Sequence, residues 1–196
     1  MREYYERRAP EYDEWYPGTG LFAARDRPGW KEELRRLTEV VASLSAGRTL
    51  DVACGTGFLT RHLCGDVVAL DQSAAMLEQA RSRVPTAAFL RGDASALPVR
   101  TTASTASSPR TSTATSSPPD RRAFLCEARR VARELVVVDS SRVGSDADEA
   151  WQERVLNDGS RWQVFKRWFT PDGLARELGG GETLFAGRWF VAVRSP

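Results

Sequence analysis

The chain has 196 residues, with 28 lysines and arginines against 26 aspartates and glutamates, and a formal net charge of +2 at pH 7. This length predicts one domain with a sizeable core, and the mixing of basic with acidic residues argues against nucleic acid as a partner. No apolar run approaches the roughly 20 residues of a membrane span and the charged start is no secretion signal, so we expect a cytoplasmic protein.

The cysteine pattern disfavours both a disulfide framework and a metal site. Cys54, Cys64 and Cys126 are an odd number of cysteines without a C-x-x-C pair. We therefore expect no bound metal, and Cys54 is interpreted as a reduced, structural residue. The single histidine, His62, is interpreted as a surface or packing residue.

The N-terminal segment is rich in aromatic residues. Residues 2–16 contain Tyr4, Tyr5, Tyr12, Trp15 and Tyr16 between charges, several of them near helical spacing. Taken alone, this pattern indicates an aromatic stripe that packs on the domain. Residues 29–44 predict an amphipathic helix with Leu34, Leu37, Val41 and Leu44 on one face.

Residues 49–60, T-L-D-V-A-C-G-T-G-F-L-T, have the pattern of a buried strand, a glycine turn and a helix. Asp51 interrupts the apolar strand near its end. Gly55 and Gly57 suit a sharp turn that comes close to a ligand, and residues 58–63 resume a helical pattern. Free N–H groups at such a turn predict a nucleotide-type binding loop.

Two more apolar runs end in carboxylates. Residues 67–70 precede Asp71, which follows Asp51 by twenty positions, and residues 87–90 precede the run Arg91-Gly92-Asp93-Ala94. In doubly wound folds the strand tips share one edge of the sheet, where an acidic residue after the second strand accepts hydrogen bonds from ribose hydroxyls. The three tips therefore predict one ligand-binding edge.

These motifs resemble those of the class I S-adenosylmethionine-dependent methyltransferases, of the small-molecule, type 11-like kind. D-V-A-C-G-T-G is similar to the family's first motif, V-V-A-L-D-Q-S with Met76 to its second, and R-G-D-A-S-A-L-P to its third. The resemblance implies an α/β fold with a doubly wound, mostly parallel, seven-stranded Rossmann-like sheet and an antiparallel last strand. It also implies S-adenosyl-L-methionine as the cofactor. A nicotinamide-binding domain is the rival, and it requires a third glycine where Thr60 stands.

By the same resemblance, the first motif would hold the methionine end of the cofactor, Asp71 the ribose hydroxyls, and Asp93 with Ala94 the adenine. Tyr5 or Tyr12 would line an N-terminal lid. The chain departs from the family at Ala53, which replaces the usual glycine before the cysteine. The expected cofactor-binding residues are Asp51, Ala53, Cys54, Gly55, Thr56, Gly57, Asp71, Gln72, Met76, Asp93, Ala94 and Tyr12.

The pattern breaks over residues 101–119, T-T-A-S-T-A-S-S-P-R-T-S-T-A-T-S-S-P-P. The segment has no aromatic residue, no acid and no aliphatic residue larger than alanine, so it predicts disruption of the fourth strand. In the family that strand lies at the centre of the sheet. A flexible Ser/Thr/Pro linker is one interpretation of the segment.

A local frameshift is the other interpretation. Codons for Thr, Ala and Pro, and most codons for Ser, have C in the second position, so a GC-rich gene read one nucleotide out of frame gives this monotony. Read one nucleotide back, such codons can encode the aromatic and aliphatic residues of an ordinary strand. For the peptide as written, this hypothesis predicts weak stability and a non-catalytic or disabled methyltransferase-like domain.

The expected elements resume after the anomalous segment. Residues 120–132 predict an amphipathic helix, and residues 135–139 predict a buried strand that ends in Asp139, either as a strand cap or as a substrate contact. Further along the chain we expect a helix over residues 146–156, a helix over residues 170–178 that Thr170 caps, and a hairpin over residues 182–193.

We therefore expect one domain over residues 1–196 that transfers a methyl group to a small, apolar or aromatic molecule. Aromatic residues between Trp151 and Trp168 either form a wall for such an acceptor or pack in the core. No residue is a convincing general base, and no catalytic residue is nominated. The expected parts are a helical lid (1–45), a cofactor-binding half (49–99), the anomalous segment (100–119), and a C-terminal half (120–196) with an aromatic insert (146–170).

Overall fold

The computed structural model describes residues 1–100, 103–109 and 118–196, with the backbone alone for residues 103–109, Leu21 and Pro118. The helices in these ranges are α1 (Arg2–Arg8), α2 (Trp30–Ala42), α3 (Ala74–Arg83), α4 (Pro118–Val131) and α5 (Pro171–Glu177). The strands are β1 (Gly47–Val52), β2 (Gly65–Asp71), β3 (Ala88–Arg91), β4 (Ala103–Pro109), β5 (Ala132–Ser140), β6 (Glu149–Val155), β7 (Arg161–Arg167), β8 (Glu182–Ala186) and β9 (Phe190–Ser195). None of the described helices is long and apolar enough to cross a bilayer.

The main sheet has the strand order β3-β2-β1-β4-β5-β9-β8. Its first five strands pair in parallel, whereas β9 runs antiparallel to both β5 and β8. This confirms the mostly parallel, Rossmann-like architecture that the sequence predicts. The strand order reverses between β1 and β4, and ligands bind beyond the carboxyl ends of the strands at such a switch point.

The expected disruption of the fourth strand is wrong for Ala103–Pro109. The backbone of these residues forms β4, which pairs in parallel with β1 on one side and β5 on the other. A ladder is made by backbone N–H and C=O groups, so small residues can complete it when strands on both sides supply partners. Residues 101–102 and 110–117 of the anomalous segment lie outside the described residues, and the frameshift hypothesis stays a prediction.

The helix predicted over residues 58–63 is also wrong, because only Thr60–His62 form a single 3-10 turn. Gly57 ends the glycine turn, and β2 already begins at Gly65. The few residues between them must return the chain to the opposite end of the sheet. A rise of about 1.5 Å per residue makes an α-helix too short for that path.

Residues 146–156 are predicted as a helix, but they contain β6, which pairs antiparallel with β7 in a separate two-stranded sheet. Burial alternates along β6 with a period of two, as expected for a strand with one covered face. In β7, Trp162 pairs with Arg154 of β6 and packs on α1, where the Tyr4 and Trp162 ring centroids lie 5.9 Å apart. The aromatic insert is therefore a hairpin that lies against the N-terminal segment.

The core covers both faces of the main sheet. On one face, α4 and α5 pack on β1, β5 and β9 through side chains that include Phe124, Leu174, Leu50 and Val137. On the other face, the amphipathic α2 buries Leu37 and Val41 against β9, which confirms the helix predicted there. The two layers leave the carboxyl-end edge of β1, β2 and β3 available for a ligand.

Candidate functional site

A cavity of about 320 Å³ lies beyond the carboxyl ends of β1, β2 and β3. Most of the expected cofactor residues line it: Ala53, Gly55, Asp71, Gln72, Met76, Asp93, Ala94 and Tyr12. Residues that the motifs did not nominate also line it: Met1, Leu70, Gly92, Ser95, Asp120 and Phe124. The three strand tips thus meet at one cavity, which is the spatial arrangement that the sequence predicts.

Asp71 faces the glycine turn at the rim of this cavity. Its Oδ2 accepts a hydrogen bond from the Gly55 N–H at 2.9 Å, and its Oδ1 accepts one from the Ser73 N–H at 2.9 Å. Burial raises the pKa of the Asp71 carboxyl, and these backbone donors only partly offset that effect. Each carboxylate oxygen keeps a further lone pair, so Asp71 can still accept hydrogen bonds from a ligand.

The glycine turn has three residues in the left-handed region, and Gly57 is one of them with φ of 78°. Gly55 has φ of 56°, and a Cβ at this position would lie 3.6 Å from the Tyr12 ring. Ala53, which stands where the family has glycine, has φ of 59°. A residue with a Cβ is strained in this conformation by about 1–2 kcal/mol. The turn therefore has a left-handed residue at position 53 although alanine stands there.

Four expected cofactor residues do not line the cavity, and they support the turn from behind instead. Asp51 is fully buried and accepts a hydrogen bond from the Thr60 hydroxyl at 2.6 Å. Gly57 allows the turn to approach α3, where a Cβ would lie 3.3 Å from Ala80. The other two, Cys54 and Thr56, are also buried.

Thr56 connects the turn to the N-terminal segment. Its hydroxyl donates a hydrogen bond to Asp13 Oδ1 at 2.5 Å, and Arg83 at the end of α3 donates to the Thr56 carbonyl oxygen at 2.7 Å. Arg83 also forms an ion pair with Asp13. Since these three residues belong to three separate elements, they fix the position of the turn relative to its cover.

The cover of the cavity consists of α1 and the 3-10 helix Ala9–Trp15, which contribute Tyr5 and Tyr12. Glu6 attaches α1 to the start of α3, where its carboxylate accepts hydrogen bonds from the Ala74 N–H at 2.9 Å, the Ala75 N–H at 3.0 Å and the Ser73 hydroxyl at 3.1 Å. No pattern in the sequence pointed to Glu6, because a carboxylate that caps a helix distant in the chain has no local motif.

Asp93 shapes the edge of the cavity near β3. Its Oδ1 accepts hydrogen bonds from the Ser95 N–H at 2.8 Å and from the Ser95 hydroxyl at 2.7 Å. Leu70, Gly92 and Ser95 lie within the motifs that identified the strand tips, so their neighbours already indicated them. Asp120 and Phe124 belong to α4, after the anomalous segment, and no motif marks them.

A second cavity of about 380 Å³ shares Tyr5 and Tyr12 with the first. It lies between the N-terminal segment, the β6–β7 hairpin and the end of β5. Its aromatic lining includes Trp15, Trp168 and Trp189. Two adjacent cavities separated by two tyrosines provide room for two molecules side by side.

Comparisons with known proteins agree with these features. A family model described as "Methyltransferase domain" matches residues 49–134. The chain is 38% identical over 88 residues to the dTDP-3-amino-3,4,6-trideoxy-alpha-D-glucopyranose N,N-dimethyltransferase of Streptomyces venezuelae, an alignment that covers 43% of this chain and 35% of that protein. It is 42% identical over 67 residues to the demethylmenaquinone methyltransferase of Renibacterium salmoninarum, covering 33% of this chain and 28% of that protein.

The match in structure extends further than the match in sequence. A solved structure described as the DhpI-SAM-HEP complex has a TM-score of 0.78 at 23% identity, and the alignment covers 99% of this chain and 95% of that one. The chain spans about a third of the length of the curated relatives that it matches. Residues 49–134 are therefore similar to a methyltransferase domain, in agreement with the resemblance that the strand-tip motifs indicate.

Proposed function

We propose that this chain is a methyltransferase that transfers a methyl group from S-adenosylmethionine to a small molecule. The observation that carries the proposal is the pairing of Asp71 with the Gly55 N–H at the rim of a cavity lined by residues from three strand tips. A nicotinamide-binding domain requires a glycine at position 60. This chain has Thr60 there, and its buried hydroxyl donates a hydrogen bond to Asp51. The domain proposed to act is the whole of residues 1–196.

The residues of the first cavity fit the cofactor chemically. Asp71 would accept hydrogen bonds from the ribose hydroxyls, since an ionised carboxylate is a strong acceptor for a diol. Backbone groups of Ala53 and Gly55 would face the methionine end, and Asp93 with Ala94 would face the adenine. Gln72 and Met76 would line the ribose side of the cavity. Asp51, Cys54, Thr56 and Gly57 would act by holding the turn in place.

When bound, S-adenosylmethionine supplies an electrophilic methyl group on a sulfonium centre. The task of the protein is then to place the acceptor atom in line and to exclude water. Tyr5 and Tyr12 stand between the two cavities, so they would position the acceptor against the cofactor side. α1 would close over both molecules, held by Glu6.

The acceptor would occupy the second cavity. Its tryptophans, Trp15, Trp168 and Trp189, suit the apolar or aromatic body that the sequence predicts. The curated relatives act on an amino sugar and a quinone precursor by their names, so the acceptor class is not fixed by family membership. No general base is assigned, because an acceptor such as a neutral amine needs none before transfer.

Calorimetric titration with S-adenosylhomocysteine tests the proposal, followed by incubation with S-adenosylmethionine and a panel of small acceptors. Saturable binding together with formation of S-adenosylhomocysteine that depends on an acceptor would support it. Binding without turnover would favour the alternative of a non-catalytic methyltransferase-like domain. Absence of binding to the folded chain would refute the cofactor assignment, and the D71A variant serves as the matched negative control.

A further inference from the structure

The second cavity carries more positive charge than its aromatic walls suggest. Four basic side chains line it, Arg8, Arg25, Arg154 and Lys166, against one acidic side chain, Asp146. Arg8 comes from α1, Arg154 from β6 and Lys166 from β7, so the basic groups converge from separate elements. A convergence of this kind on one cavity does not arise from a single charged helix face.

The two half-buried arginines have neutral neighbours. Arg8 donates a hydrogen bond to the Tyr4 hydroxyl at 2.7 Å and lies 4.9 Å from the centre of the Tyr12 ring. Arg154 donates to the amide oxygen of Gln152. Among the described residues no carboxylate forms an ion pair with either arginine. Lys166 differs, because its Nζ lies 3.8 Å from the buried Asp139.

The electrostatics of the two arginines differ, because burial of Arg8 is outweighed by interactions with Tyr4, Tyr12 and Tyr5, which raise the pKa of Arg8. Burial lowers the pKa of Arg154, and the positive charges of Arg8 and Arg25 lower it further. Arginines are rarely taken out of water without a partner, because the loss of hydration outweighs what neutral hydrogen bonds return. A ligand that brings the missing negative charge would explain why two such groups face one cavity.

We propose that the methyl acceptor carries an oxyanion, a carboxylate or a phosphoryl group, which Arg154 and Arg8 bind in the second cavity; this rests on the proposed methyl transfer. The planar guanidinium matches two oxygens of such a group at once. The aromatic walls would then hold the body of the acceptor, and the arginines would fix its charged end. The acceptor is thus amphipathic, with an apolar or aromatic body and an anionic group.

Phenylphosphonate and benzyl alcohol are suitable probes, because they share a ring and differ in charge. Each is titrated calorimetrically into the chain saturated with S-adenosylhomocysteine. We expect phenylphosphonate to bind at least tenfold more tightly than benzyl alcohol, with an affinity that falls as salt is raised. Equal affinity for the two probes overturns the proposal. If S-adenosylhomocysteine itself does not bind, the proposed function fails, and the same pair of titrations without it still tests the anion site.

Variants distinguish the acceptor's oxyanion from the carboxylate of the cofactor. R154Q and R8Q should weaken phenylphosphonate binding at least tenfold and change S-adenosylhomocysteine binding less than threefold. R161Q is the matched control, since Arg161 lies on the same hairpin, is exposed and pairs with Glu153. If R154Q instead weakens S-adenosylhomocysteine and leaves phenylphosphonate unchanged, the cofactor is the anion and the proposal is wrong.

A stability measurement provides a test that needs no ligand. R154M keeps the apolar stem of the side chain and removes an unbalanced charge, so we expect its melting temperature to rise by about 2–4 °C in the absence of ligand. A fall in melting temperature would mean that Arg154 is a structural cation already balanced by the protein, which overturns the inference.

R154K, which retains a charge but lacks the planar fork, should show intermediate phenylphosphonate affinity.

Discussion

At the scale of single residues, Ala53 is a place where the chain carries strain. Its φ of 59° suits glycine, the residue that the resemblance to the methyltransferases predicts at this position. We expect A53G to stabilise the chain by about 0.5–1 kcal/mol, because relief of the left-handed strain exceeds the extra entropy that glycine has in the unfolded chain. Urea unfolding measures this. The control A175G, in the middle of α5, should destabilise by about 1 kcal/mol.

The raised pKa of Asp71 predicts how cofactor affinity depends on pH. Ribose hydroxyls donate to the ionised carboxylate, so binding competes with protonation. Because burial holds the pKa of Asp71 above its ordinary value, S-adenosylhomocysteine affinity should fall as pH is lowered, beginning at a higher pH than for an exposed aspartate. Above the pKa the affinity should be constant.

The D71N variant should bind S-adenosylhomocysteine about 10 to 100 times more weakly, and its affinity should lose this pH dependence. D66N is the control, since Asp66 is exposed at the start of β2, at the opposite end of that strand. Calorimetry over a pH series distinguishes the two. A D71N protein with the affinity and pH profile of the original chain would show that Asp71 does not contact the ligand.

At the scale of elements, the attachment of α1 to α3 through Glu6 determines whether the first cavity is covered. E6A removes the acceptor for three hydrogen bonds at the start of α3. We expect a loss of about 1–2 kcal/mol of stability, faster amide exchange over residues 2–15, and weaker S-adenosylhomocysteine binding. E3A should change none of these, because Glu3 is exposed and its ion pair among the described residues is with Arg7 of the same helix. Unchanged exchange in E6A would mean that other contacts hold α1.

The stability that the Glu6 hydrogen bonds contribute should depend on pH. Partial burial raises the pKa of Glu6, but hydrogen bonds from Ala75, Ala74 and Ser73 outweigh it and hold the pKa below its ordinary value. A lowered pKa means that the contribution to stability is complete above the ordinary pKa and is lost as pH falls through the lowered value. The difference in stability between the original chain and E6A should therefore shrink on acidification. A pH series of urea unfolding curves measures this difference.

The elements also show which strands and site residues the sequence patterns were sufficient to predict and which they were not. The strand tips carrying Asp71 and Asp93 were predictable, because apolar runs followed by carboxylates are local signals. The β6–β7 hairpin was mistaken for a helix at its first strand, because its covered face carries Gln152 and Arg154 in place of apolar residues. Thr56 was placed in the ligand contacts because a motif gives spacing but not which side of a turn a side chain occupies.

At the scale of the whole molecule, β4 joins the two halves of the main sheet. β3, β2 and β1 lie on one side of it, and β5, β9 and β8 on the other. Its residues, A-S-T-A-S-S-P, are all small and offer little apolar side-chain area. Backbone pairing of β4 with β1 and β5 is the link that the described residues show at this strand, and we expect the stability of the molecule to be limited there.

The frameshift hypothesis predicts that this limit can be removed. If the coding DNA across residues 100–120, read one nucleotide back, encodes aromatic and aliphatic residues, a chain expressed in that frame should be markedly more stable. Each such side chain buried at the centre of the sheet contributes about 1.5–3 kcal/mol, so three of them should raise the melting temperature by roughly 10 °C or more. Sequencing the DNA and melting both chains tests this. A neighbouring frame without such codons would refute the hypothesis.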